Sequence, residues 1–186
     1  MNLFEKHPAV ESDVFVAPNA SVVGRVVIHS KSSVMYGAVI RGDQAEIVIG
    51  RNTSIGDRAV LSTSHAVEGH VEPDLHIGSD VVIGASSVLQ SCTIEDGAII
   101  GASSILLEGS LVEKAAQLLP GSVLHSGRRV PTGQLWGGNP AVFVKDLSKS
   151  ELAVNEGLAS AEAENAVAHA NEFADTKGEA ARHSTV

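Results

Sequence analysis

The chain has 186 residues and a mass of 19.2 kDa, enough for one domain with a tail. Thirteen basic against 22 acidic residues leave a net charge of −9, which argues against the basic stripe of a nucleic-acid binder; no stretch approaches the ~20 consecutive apolar residues of a membrane span. One cysteine excludes a disulfide framework or a multi-cysteine zinc finger, and 44% hydrophobic residues with only 3% aromatics demand a core of Val, Ile, Leu and Ala.

From the N-terminus, Val10, Val16, Val22, Ile28, Val34 and Ile40 recur every sixth residue. The series resumes at Ile49, Ile55 and Leu61, then at Ile77, Ile83 and Leu89. After one five-residue step it runs through Ile94, Ile100, Leu106, Val112, Leu118, Leu124 and Val130. Two positions before most of these sits a small residue, as at Ser32, Thr53, Ala59, Ser87, Cys92, Ser104 and Ser122. Glycine often follows the aliphatic, at Gly50, Gly56, Gly78, Gly84 and Gly101, and is expected to supply tight or positive-φ backbone at the bend.

A six-residue period fits neither a helix nor a hairpin meander. It predicts an all-β solenoid, a parallel β-helix with three flat sides per coil; a sandwich would place turn signals every 8–12 residues instead. Two interruptions stand out, a short insertion at residues 44–46 and a polar loop over 62–76. After Pro131-Thr132-Gly133, the only tryptophan, Trp136, precedes Gly137-Gly138-Asn139-Pro140 and reads as a lid over an open prism end. Ser148 with Glu151 forms a capping box that starts a helix. Leu152, Ala159, Ala166 and Phe173, spaced by seven, give that helix a face of mostly small residues, with Ala163 and Ala170 between them. The expected division is 1–146 prism and closing segment, 147–176 helix, and 177–186 flexible tail.

The segments DVFVAP (13–18), YGAVIRGD (36–43), NTSIGD (52–57), CTIED (92–96) and RVPTGQLWGGNPA (129–141) resemble γ-class carbonic anhydrases. Within that class the opening and the tail resemble the γ-carbonic-anhydrase-like subunits of mitochondrial complex I. The resemblance implies a left-handed parallel β-helix of hexapeptide repeats with a C-terminal α-helix, assembled as a trimer. Active members hold zinc between subunits on three histidines, which lower the pKa of bound water toward 7 and make the hydroxide that attacks CO2.

Transferred position by position, those ligands fall on Ser62, Ala85 and Gln90. Ala has no donor atom, and Ser and Gln are poor neutral ligands for zinc. The glutamine beside the family's aspartate is Gly56 here, while Asp57 is retained in a structural role. Arg41 and Asp43 resemble a pair that braces the trimer; Trp136 is structural. The resemblance therefore implies a non-catalytic paralogue with no cofactor. Its implied partners are two other γ-carbonic-anhydrase-like subunits and the complex I membrane arm, on the matrix side of the mitochondrial inner membrane, peripheral to it and touching no nucleic acid. The alternatives are an active enzyme with an unusual ligand set drawn from His65, His70 and His76, or a hexapeptide-repeat acyltransferase. Residues 1–4 read as neither a presequence nor a signal peptide, so the location rests on the resemblance. Cys92, in a small inner slot, is expected to be buried and inert.

Overall fold

A large aliphatic at every sixth residue can be buried only if the backbone turns a corner between successive ones, and the chain takes that path. The computed structural model describes residues 7–65 and 73–183, with helix side chains through Glu172. Strands stack in parallel on three flat faces, making about seven coils. The first face holds Val60–Ser62, Val88–Gln90, Ile105–Leu106 and Val123–Leu124. The second holds Leu75–Ile77, Thr93–Ile94, Leu111–Val112 and Arg129–Val130. The third runs from Phe15–Val16 through Ser54–Ile55 and Val82–Ile83 to Gln134–Gly137. Two long strands, Ser21–Ile28 and Val39–Ile49, round the corner between the first and second faces, so these join into one eleven-stranded sheet.

The six-residue series is the core. From Ile28 to Val130 its members are at most 3% exposed, and each contributes about 1.5–3 kcal/mol by burial. Val10 departs from the expectation at 41% exposed, and Val16 and Val22 are half-buried, because no further coil covers the first one among the described residues. The small inner residues are buried too, and their hydroxyls satisfy the stack: Ser32 Oγ donates to Gly50 O at 2.7 Å and Thr53 Oγ1 to Gly78 O at 2.8 Å.

The glycines that follow the aliphatics have a different cause from the one expected. Positive φ falls at the corners instead, where residues from Lys31 to Gly133 take φ of 41° to 70°, many of them not glycine. Gly84 and Gly101 have no room for a side chain: a Cβ on Gly84 would lie 2.4 Å from Ala102 N, and one on Gly101 2.3 Å from Pro120 N. Coil-to-coil contact excludes the Cβ there.

The insertion at 44–46 lies inside the continuous strand Val39–Ile49, as a bulge opposite the partner's shift between Gly24 and Val26. Its base is tied to the polar loop: Ala45 N–H donates to Thr63 Oγ1 at 3.0 Å, and Glu46 N–H to Asp74 Oδ1 at 2.9 Å. The five-residue step is a corner shortened to Ser91, whose Oγ accepts Ser64 N–H at 2.8 Å and donates to Pro73 O, holding both ends of the loop.

At the far end Trp136 pairs over Leu118 and packs on the core, and the antiparallel strand Val142–Asp146 finishes the third face. The helix Lys149–His183 then returns across that face, touching Val82–Ile83, Ser54–Ile55 and Phe15–Val16, and continues beyond the expected boundary at 176. Ala159 and Ala166 are buried against the sheet as the spacing predicts, joined by Asn155.

The capping box forms as expected. Glu151 N–H donates to Ser148 Oγ at 3.3 Å, Ser148 N–H donates to Glu151 Oε2 at 3.0 Å, and Lys145 Nζ reaches the other oxygen at 2.5 Å. The Lys145 hydrogen bond, followed by those from Ser148, pulls the Glu151 carboxyl down from 4.5 to about 2. A depressed carboxylate stabilises the fold above its unfolded value and loses that contribution as pH falls through the folded one. The cap's contribution to stability is therefore full above pH 4.5 and shrinks between there and pH 2, while in the folded protein the carboxylate keeps its bonds until pH nears 2. NMR titration of the Glu151 carboxyl should give a midpoint near 2, and Lys145→Ala should raise it.

Candidate functional site

On the first face the strand periodicity separates core from chemistry. Ile40, Leu61 and Leu89 pair in register and point inward. Their next neighbours, Arg41, Ser62 and Gln90, pair in the same register and form an outward column at one edge of the face. Two of the three positions on which the resemblance places ligands, Ser62 and Gln90, are thus adjacent, with strands ~4.8 Å apart. The Ser62 hydroxyl points toward Leu89 O at 3.5 Å.

Ala85 is not brought to them. It occupies the corner turn at the opposite edge of this face, stacked above Asp57, whose carbonyl accepts Ser86 N–H at 2.7 Å. Asp57 Oδ1 accepts Tyr36 N–H at 3.0 Å. One protomer therefore splits the three positions between two edges, and a second copy's edge is needed to bring position 85 to positions 62 and 90.

Arg41 Nη2 donates to Asp43 Oδ2 at 2.7 Å within the same chain, and this hydrogen bond, opposed by partial burial, holds the Asp43 carboxyl below its ordinary range. Beside this column runs a second outward column, Val39, Val60, Val88, Ile105 and Val123, paired strand to strand. Val88 and Ile105 are 39% and 38% exposed, an apolar ridge on a flat face. Trp136 stands apart, at the end of the prism on the third face, with Nε1–H donating to Gln134 Oε1 at 3.0 Å.

Of the loop histidines, His76 faces outward on the second face, His65 borders the loop, and His70 lies outside the described residues. Among the described residues no three His, Cys, Asp or Glu side chains gather as a metal site. Cys92 is buried, and burial pushes its thiol up to about 12. Native protein should therefore leave Cys92 unmodified by iodoacetamide at pH 8, with full labelling in urea; rapid native labelling would contradict the burial.

One cluster was not anticipated from the sequence. Tyr36 Oη lies 3.2 Å from His169 Nδ1, and Phe15 stacks on the His169 ring with centroids 6.4 Å apart. These side chains fasten the second half of the helix to the prism. The signal available was position: His169 follows Ala166 by three, on the face already marked by the alanines.

No protein-family model matches the chain. It is 41% identical to "Gamma carbonic anhydrase 3, mitochondrial" of Arabidopsis thaliana over 97% of its own length and 70% of that protein's. It is 45% identical to "Gamma carbonic anhydrase-like 2, mitochondrial" of the same plant over 77% of its length and 56% of the relative's. The chain spans 55% to 70% of the Arabidopsis relatives it matches. Among solved structures, a hexapeptide transferase family protein from Anaplasma phagocytophilum superposes with a TM-score of 0.78 at 34% identity, covering 89% of this chain and 92% of that one.

Proposed function

Since the chain belongs to the γ-carbonic anhydrase family, we propose that it serves as a non-catalytic structural subunit of a γ-carbonic-anhydrase-like heterotrimer on the matrix side of the membrane arm of mitochondrial complex I (NADH:ubiquinone oxidoreductase). The observation that carries this reading is the occupation of the three ligand positions by Ser62, Ala85 and Gln90, on an otherwise intact scaffold. Hydroxide generation at neutral pH needs a cation held by several good donors, and this set has no imidazole.

The outward apolar ridge from Val39 to Val123 supports assembly through the first face, with the Arg41–Asp43 pair fixing register at its edge. Each subunit of such a trimer lines two of three sites. A homotrimer of this chain then completes none, and a heterotrimer with two competent partners completes at most one. Mitochondrial placement is supported by the names of the relatives, and no described helix is long and apolar enough to cross a membrane.

Two measurements test the two halves separately. Purified homotrimer should contain no stoichiometric zinc by atomic absorption and should not hydrate CO2; one zinc per chain would sink the non-catalytic reading. Tagged protein should co-migrate with complex I on native gels; migration only as a free trimer would sink the assembly reading.

A further inference from the structure

We propose that the groove between the first coil and the C-terminal helix is a docking site for a basic amphipathic segment of a partner protein. The groove encloses about 880 Å³. Its floor is Val14, Phe15 and Val16, and its wall is the small-residue face of the helix at Ala163, Ala166 and Val167. Val167 is 59% exposed, although the rest of this wall packs on the sheet. The alanines leave the space open: a larger side chain would fill it, and the helix is held here by the Phe15–Tyr36–His169 contacts instead. The one buried polar side chain in the lining, Ser32, already donates its hydroxyl to Gly50 O, so no polar group converges on the groove to orient a small ligand.

Charge selects the occupant. Asp13 and Glu164 flank the groove against a single Lys31, and Glu162 lies next along the same stretch of helix. An apolar cleft in an acidic surround fits a helix that presents leucine-like side chains on one face and Lys or Arg beside them. The position also suits a partner. The groove lies at the corner between the second and third faces, opposite the first face. This inference uses neither the degenerate ligand positions nor the apolar ridge, and it stands or falls apart from the function proposed above.

The test uses the full chain and a fluorescein-labelled Leu/Lys peptide with leucines at i, i+3, i+4 and i+7, read by anisotropy. A Leu/Glu peptide of the same pattern and a scrambled Leu/Lys peptide serve as comparison probes. Salt-sensitive binding of the patterned basic peptide is expected, weakened about tenfold or more by Val167→Lys, less by Glu164→Lys, and little by Glu156→Lys elsewhere on the helix. Equal binding of the scrambled peptide would reduce the effect to bulk charge and overturn the proposal. So would equal binding of the Leu/Glu peptide, binding unchanged by Val167→Lys, or binding seen only after residues 1–6 are deleted. Self-association in sedimentation that Val167→Lys abolishes would assign the groove to a second copy and overturn it as well.

Discussion

Gly101→Ala is expected to destabilise the stack by about 3 kcal/mol, at the upper end of what one added methyl costs in a packed interior. The new Cβ would stand 2.3 Å from Pro120 N and 2.7 Å from Leu119 C, both backbone atoms of the next coil. Neither can yield as a side-chain tip does, because Gly101 N–H donates to Leu118 O at 2.8 Å and fixes that coil in place. Gly84→Ala should behave alike, with Ala102 N 2.4 Å away. Gly121→Ala is the informative contrast. Nothing lies within 4 Å of its Cβ, but its φ is +70°, so only the left-handed backbone penalty of about 1–2 kcal/mol applies. Urea unfolding would separate the two: the midpoint should fall much further for Gly101→Ala than for Gly121→Ala at similar slope. The reverse order would mean that these glycines serve conformation after all.

Combining Ser62→His, Ala85→His and Gln90→His should confer zinc binding at one ion per chain, and only in the trimer. Positions 62 and 90 are register partners on adjacent strands, close enough for two imidazoles to meet one ion at ~2.0–2.1 Å. Position 85 lies at the other edge of the face and must come from a neighbour. The double variant without Ala85→His should bind far more weakly, and a trimer mixing the double variant with Ala85→His chains should regain the ion. The readout is zinc per chain after dialysis, alongside oligomeric state. A folded, trimeric triple variant that stays metal-free would show that the ligand register assigned here is wrong.

Most of the prism was legible because its rule is local. A six-residue interval between aliphatics is visible in the chain itself, and Ile28 through Val130 are buried where that interval places them. The helix start was legible for the same reason, since Ser148 and Glu151 are three residues apart and their bonds are mutual. What could not be read involves residues brought together from a distance. Tyr36 and His169 are separated by 133 positions, and although the alanine spacing places His169 on the packed side of the helix, nothing along the chain pairs it with Tyr36. The reason for Gly84 and Gly101 lies in the next coil, so spacing located them while leaving their cause open. The split of Ser62 and Gln90 from Ala85 is likewise a property of corners and edges that a linear count does not contain.

On the first face, every residue that seals the interior alternates with one that looks away from it. A duplicated gene built on this plan can rewrite the outward set wholesale while its product still folds and still matches the shape of its sister chains. Divergence of surface chemistry and retention of co-assembly are then compatible by construction, which is the condition under which mixed oligomers of unequal members can arise.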